Sequence, residues 1–77
     1  MNAARRSRLS ELVVKLNEIE SDLREIMTEE QEAWENLPES LQESERGQSM
    51  QDTAGELEDI CNNIEQYCSD IEAIIEK

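Results

Sequence analysis

Large apolar residues recur every three or four positions along the first half of the chain. Steps that alternate between three and four residues return to the same face of an α-helix, which is the heptad pattern of coiled coils. The row therefore predicts one long helix with an apolar stripe that only Glu30 interrupts. The stripe consists of Leu9, Leu12, Leu16, Ile19, Leu23, Ile26, Glu30, Ala33 and Leu37.

The second half of the chain repeats this pattern, with Thr53 as its one polar interruption. Two such helices joined by a short connection are expected to pair side by side and antiparallel. We therefore predict an all-α fold, a long antiparallel helical hairpin that forms a single domain over residues 1–77. The second stripe consists of Met50, Thr53, Leu57, Ile60, Ile64, Tyr67, Ile71 and Ile74.

The break between the two stripes lies around Pro38, a residue that favours the first turn of a helix. Ser44 then has the side chain of a helix N-cap, and Glu45 suits the first turn that follows it. These signals predict a first helix over 4–35, a tip over 36–44 that contains one short helical turn, and a second helix over 45–76.

The two stripes also predict how the helices align. The alignment that pairs the most apolar residues sets Glu30 beside Thr53, whose hydroxyl group can hydrogen-bond a buried carboxylate. In this arrangement Leu23→Ala or Ile60→Ala removes a buried side chain. A change at Glu20, which lies outside the stripes, is expected to have little effect.

Each helix carries a further apolar row beside its main stripe. A contact between only two helices cannot cover both rows, so another helix is expected to pack there. A twofold homodimer of hairpins that forms a four-helix bundle is the simplest solution, since such dimers are the commonest oligomers. The predicted oligomer interface consists of Val13, Met27, Ala54, Cys61, Cys68 and Ile75.

The charge of the chain is strongly acidic, with a formal net charge of −13 from 20 acidic and 7 basic residues. Such a surface repels nucleic acid and anionic membranes and attracts basic protein surfaces. It also suits a soluble helical protein in which Glu serves only as a good helix former. Near the start of the chain, Arg5, Arg6 and Arg8 either pair with the acidic end of the second helix or form an arm that binds a ligand.

The residues that most enzymes need are missing from this sequence. It has no histidine, no glycine-rich phosphate loop and no paired Cys and His spacing for zinc. We therefore expect no enzymatic activity, no cofactor and no metal site. Cys61 and Cys68 are expected to be reduced, small apolar side chains in the bundle, with redox sensing or metal binding as the alternatives.

Two surfaces are candidates for binding a partner. The acidic face of the first helix consists of Glu18, Asp22, Glu25 and Glu29. The apolar tip consists of Trp34, Leu37 and Leu41. The tip residues either close the end of the bundle or form an exposed anchor, a role that Trp fills often.

The tip sequence Trp-Glu-Asn-Leu-Pro-Glu-Ser-Leu-Gln-Glu-Ser-Glu, residues 34–45, resembles that of small acidic uncharacterised proteins of bacteriophages and mobile elements of bacteria. In those proteins a similar turn joins two heptad-bearing helices. The resemblance implies a phage setting, in which small acidic proteins are often inhibitors of host enzymes or anti-defence proteins such as anti-CRISPR proteins.

We therefore expect a non-enzymatic, acidic protein-binding module that inhibits or modulates a host defence or nucleic-acid-handling protein. The alternative is a structural or adaptor coiled coil whose function is oligomerisation. The expected partners are a second copy of the chain and a host protein with a basic surface, without direct contact to nucleic acid or membrane. No run of about 20 apolar residues is present to cross a bilayer, so the expected location is the cytoplasm, which is the host cytoplasm if the protein is phage-encoded.

Overall fold

The computed structural model describes all residues, 1–77, and shows the predicted helical hairpin. Helix α1 spans Ala3–Glu35, the short helix α2 spans Glu39–Gln42, and helix α3 spans Glu45–Ile75. Helices α1 and α3 pack side by side, so the molecule is a rod of 58 × 15 × 12 Å. The hairpin fold is confirmed, and the helices begin and end close to the predicted residues.

Side chains cap the two long helices at their N-termini, where backbone N–H groups have no partner within the helix. The N–H of Arg5 donates to Asn2 Oδ1 at 2.9 Å. The N–H of Gly47 donates to Ser44 Oγ at 3.3 Å, which confirms the predicted N-cap of α3.

The tip is held by hydrogen bonds that join α1 to α2. The carbonyl oxygen of Trp34, near the end of α1, accepts from the side-chain amide of Gln42 at 3.1 Å and from the N–H of Leu37 at 3.0 Å. Pro38 accepts from the N–H groups of Leu41 and Gln42 and thereby starts the single turn of α2. The chain reverses direction within this compact segment.

The contact between α1 and α3 is centred on a different row from the predicted stripe. We call the row of each helix that lies at the centre of this contact, together with that of the other helix, the seam. Along α3 the seam consists of small residues that recur every seven positions. Val13, Ala54, Cys61 and Cys68 are 6%, 5%, 0% and 5% exposed, so they form the core of the hairpin. Small side chains at these positions let the two helices approach closely, and larger residues then extend past the contact. The seam consists of Val13, Glu20, Met27 and Trp34 on α1 and of Gly47, Ala54, Cys61 and Cys68 on α3.

This arrangement corrects the predicted oligomer interface. Val13, Ala54, Cys61 and Cys68 are buried inside one chain, and Met27 and Ile75 are half-buried. These side chains meet the opposite helix of their own hairpin, so they are not free to cover a second chain. The apolar side chains that another helix could cover therefore lie on a different surface of the hairpin.

The predicted alignment along the rod is close to the observed one, because Cys61 Sγ lies 3.9 Å from the carbonyl oxygen of Glu20 and Arg6 reaches Lys77. The predicted contact between the hydroxyl group of Thr53 and a buried carboxylate of Glu30 is absent. Thr53 is exposed, since the rotation of the helices turns it away from the seam. Glu30 is half-buried.

Candidate functional site

One flank of the hairpin exposes two rows of large apolar side chains, which we call the open face. On α1, Leu12, Ile19 and Ile26 are 49%, 50% and 52% exposed. On α3, Ile60, Tyr67 and Ile74 are 46%, 60% and 41% exposed. Rows of exposed large apolar side chains on a protein surface mark a candidate site of interaction. These six residues were expected inside the hairpin, and the structure places them outside.

A half-buried row links the seam to the open face on each helix. It makes the open face continuous across the hairpin, because each of its members lies three or four residues from an exposed apolar neighbour on the same helix. The half-buried row consists of Leu9, Leu16 and Leu23 on α1 and of Leu57, Ile64 and Ile71 on α3. The structure thus leaves one side of the apolar core without a cover.

The two rows of the open face lie on the same side of the rod. Antiparallel helices that pack through equivalent rows are related by an approximate twofold axis, so equivalent positions share a flank. The opposite flank shows this directly: Arg24, four residues after Glu20 of the seam, contacts Glu65, four residues after Cys61, at 3.2 Å. Since those two positions meet on one flank, the open-face rows meet on the other.

The opposite flank is polar and centred on Glu20, a carboxylate in the seam that is 8% exposed. Arg24 Nε donates to Glu20 Oε2 at 2.8 Å. Arg24 Nη2 donates to Asn62 Oδ1 at 3.3 Å and to Glu65 Oε1 at 3.2 Å, which links the two helices. The hydrogen bond with Glu20 raises the pKa of Arg24. The prediction that a change at Glu20 has little effect rests on an exposed position, but the structure buries this carboxylate beside a partner on which it depends.

The two cysteines form no disulfide and are buried in the seam. Burial raises the pKa of the Cys68 thiol, and the negative charges of Glu20, Glu72 and Glu65 raise it further. A raised pKa keeps the thiol protonated, and the thiolate is the reactive form. Cys61 is fully buried, and its thiol points to the carbonyl oxygen of Glu20. Both side chains act as small apolar residues in the helix contact.

The apolar tip divides into inner and outer parts. Trp34 and Leu37 are half-buried, whereas Leu41 is 43% exposed. Trp34 lies at the end of the seam, where it lines a groove of about 400 Å³ together with Met50 and Ala54. Its indole Nε1 is buried without a hydrogen-bond partner. Trp34 thus closes the end of the hairpin and leaves Leu41 as the exposed apolar side chain of this group.

The acidic face lies on the outside of α1. Glu18, Asp22, Glu25 and Glu29 are all exposed. None of the four takes part in an ion pair within the chain, so their charges are free to act on a partner. Glu18 and Glu25 point away from α3, and Asp22 and Glu29 border the open face.

The arginines near the start of α1 form no ion pair with the carboxylates of α3, which was one of the two arrangements that the sequence leaves open. Arg6 Nη2 instead donates to the main-chain oxygen of Lys77 at 3.0 Å. Arg5 and Arg8, with Met1, Leu9 and Leu12, line a hollow of about 280 Å³ at the end of the open face. Two positive charges therefore stand beside apolar side chains at this end of the rod.

No group of three or more Cys, Asp or Glu side chains in the chain has an arrangement that could hold a metal ion. None of the helices combines the length and the apolar character needed to cross a membrane. No protein-family model, curated protein or solved structure matches the chain significantly. The open face, the acidic face and the tip are thus the surfaces on which this chain can bind a partner.

Proposed function

We propose that the chain is a non-enzymatic protein-binding module whose main binding surface is the open face. The single observation that carries this proposal is the exposure of six large apolar side chains in two parallel rows on an otherwise acidic rod. Burying such rows against other helices is the strongest favourable term available to the molecule, because the gain follows the apolar area removed from water.

The acidic face supplies a second contact for a partner. The exposed carboxylates of Glu18 and Glu25 attract a basic protein surface and raise the rate of association at low salt. The resemblance of the tip to small acidic phage proteins supports a host protein as that partner. The specific form of the proposal is an inhibitor or modulator of a host defence or nucleic-acid-handling protein, present in the host cytoplasm.

The second candidate is a structural or adaptor coiled coil that only assembles with other helices. The uncovered apolar rows favour it as much as they favour an inhibitor. Salt separates the two functions: contacts through the acidic face weaken from about 50 to 200 mM salt as screening increases, whereas apolar helix packing persists.

The test of the open face is a pair of matched substitutions on α1. Ile19→Lys places a charge at the centre of the open face. Val14→Lys places the same charge at a residue that is also exposed, by 57%, but lies outside that face. Tagged wild-type and variant proteins are used to capture binding proteins, including an untagged copy of the chain, from cells that carry the gene. Circular dichroism checks that each variant remains helical.

We expect Val14→Lys to capture the same proteins as the wild type and Ile19→Lys to lose them. Equal capture by both variants would show that the open face is not the binding surface. A third variant with Glu18→Lys and Glu25→Lys tests the acidic face. If a host partner is recovered, this variant should bind it more slowly and with a flatter salt dependence. Unchanged binding would favour the adaptor function.

A further inference from the structure

The open face is bordered by eight polar residues, of which all but Asn63 are charged. Each bordering residue lies three residues after or four residues before an open-face residue, so the two are neighbours on the helix surface. We call this border the rim. It consists of Arg8, Lys15, Asp22 and Glu29 on α1 and of Glu56, Asn63, Asp70 and Lys77 on α3.

The rim is nearly neutral, with three basic and four acidic residues, although the chain as a whole carries −13. Most of the acidic excess therefore lies on the other surfaces. Two copies of a −13 rod repel each other in most orientations. They can meet through the open face with little charge repulsion, because the rim residues of each copy nearly cancel.

The basic residues of the rim lie toward the end of the rod that holds the chain termini. On α1, Arg8 and Lys15 precede Asp22 and Glu29. On α3, Lys77 lies at the same end as Arg8, and Glu56 lies toward the tip. The open face is thus positive at one end and negative at the other, which makes it complementary to a reversed copy of itself.

From this pattern we infer that the open face binds the open face of a second copy of the chain. The two rods pack face to face and antiparallel, so that the tip of each hairpin lies beside the termini of the other. We call this the antiparallel dimer. This inference rests on the proposed function of the open face and names its occupant. The product is a four-helix bundle in which α1 lies against the partner's α1, and α3 lies against the partner's α3.

The centre of the open face sets how the copies align. Ile19 and Tyr67 are the middle residues of the two rows, so the twofold axis passes through their layer. Leu12 then lies against the partner's Ile26, and Ile60 lies against the partner's Ile74. About 21 Å of apolar surface, 14 residues of helix at 1.5 Å each, is covered along each helix.

In this alignment the rim charges of the two copies are complementary. Arg8 lies opposite the partner's Glu29, and Lys15 lies opposite the partner's Asp22. On the other helix Lys77 lies opposite the partner's Glu56. No like charges face each other. The hollow that Arg5 and Arg8 line receives the partner's Ile26 and Glu29, an apolar and an acidic side chain that match its lining.

The other twofold arrangement of the same faces, with both tips at one end, lacks this complementarity. It stacks α1 on the partner's α3 and brings Glu29 opposite the partner's Glu56. Like charges in direct opposition disfavour an interface. The order of charges on the rim therefore favours the antiparallel dimer over the arrangement with both tips at one end, which we call the end-matched dimer.

The first experiment measures self-association of the full chain by sedimentation equilibrium from 1 to 100 µM, as an order-of-magnitude range around the affinity of a modest interface. We expect a dimer for the wild type and for Val14→Lys, and a helical monomer for Ile19→Lys. A wild-type monomer would overturn self-association. In that case, loss of captured proteins with Ile19→Lys alone would still support the proposed function, with another protein as the occupant.

The second experiment tests the orientation with two charge reversals. In the antiparallel dimer, Glu29→Arg places a positive charge opposite the partner's Arg8. We expect self-association to weaken by at least about tenfold, the equivalent of 1.4 kcal/mol. In the end-matched dimer the same change relieves a repulsion, and association would strengthen. Strengthening would therefore overturn the proposed orientation.

Mixing supplies the rescue. Arg8→Glu also weakens the antiparallel homodimer, but a mixed dimer of Arg8→Glu with Glu29→Arg restores both opposite-charge contacts. We expect the mixture to associate about as well as the wild type. A mixture no stronger than either variant alone would contradict the inference. As a readout independent of charge, Ile19→Cys should oxidise to a covalent dimer, because the two copies of this position face each other across the twofold axis, whereas Leu12→Cys alone should not.

Discussion

At the residue scale, the hairpin depends on small side chains at regular positions of α3. Gly47, Ala54, Cys61 and Cys68 recur every seven residues and are all buried. A row of small residues lets two helices approach closely, so even one added methyl group has to be accommodated in the contact. Gly47 makes a separate close approach, because it lies against the backbone of Leu41 and Gln42 in α2.

The two glycines of α3 therefore respond in opposite ways to the same change. A Cβ atom at Gly47 would overlap the carbonyl oxygen atoms of Leu41 and Gln42, whereas one at Gly55 meets no atom within 4 Å. We expect Gly47→Ala to destabilise the fold by about 1–3 kcal/mol, as overpacking does. Gly55→Ala should stabilise it by about 0.5–1 kcal/mol, since Ala is the better helix former.

Urea unfolding of both variants at one protein concentration measures the difference as a shift of the midpoint. Gly55→Ala is the matched control, because it makes the same chemical change in the same helix. A Gly47→Ala protein as stable as the wild type would show that the turn can move away from the added methyl group, and that the close approach does not constrain the tip.

At the scale of the elements, α1 and α3 are joined by an apolar seam with one charged member. The carboxylate of Glu20 is held by Arg24, which also reaches Asn62 and Glu65 of α3. Removing one partner of a buried pair is costly, because the charge that remains has lost its compensation. Replacing the whole pair by apolar groups is often neutral or stabilising.

We therefore expect Arg24→Ala to lower the stability of the hairpin, because the carboxylate of Glu20 loses its charged hydrogen-bond donor. The double variant with Glu20→Leu should recover most of this loss, because Leu suits the seam position and leaves no buried charge. Thermal and urea unfolding of the two single variants and the double variant give the coupling between the residues. Additive losses in the double variant would argue against a coupled pair.

The seam also shows why the sequence predicts the positions of the helices better than it predicts which side of each helix faces the other. Leu, Ile and Tyr in the main stripes are larger than Val13, Ala54 and Cys61 beside them, so the pattern favours the stripes as the contact. In the structure the smaller residues fill the narrow space between the helices. A hydrophobic pattern reports which side of a helix avoids water, but not which of two neighbouring rows lies nearest to the other helix.

At the scale of the whole molecule, the charge of −13 is spread over a thin rod, 58 Å long and 12 Å across its shortest dimension. Folding brings these carboxylates closer together than they are in the unfolded chain. Their mutual repulsion therefore destabilises the folded state, and salt screens it over a Debye length of about 10 Å at 0.1 M.

We expect the melting temperature to rise when NaCl increases from about 20 to 200 mM. A gain on the order of 1 kcal/mol corresponds to about 4–8 °C for a domain of this size. Circular dichroism at a fixed protein concentration measures the change, since association also shifts the melting temperature. The control is a variant with Glu18→Gln and Glu25→Gln, in which the gain should be smaller. An equal or larger gain in this variant would indicate that salt acts on apolar burial rather than on charge repulsion.

The sequence by itself determined the local structure of this protein. Periodic apolar residues, the Ser44 cap and the break at Pro38 set the two long helices and the reversal between them, because helix formation and capping depend on residues within a few positions of each other. The tertiary structure decided which apolar row became the seam, placed Glu20 in the interior, and left Leu12, Ile19 and Ile26 uncovered. These outcomes depend on how closely two distant segments approach, and that distance is set by the side chains of both helices together.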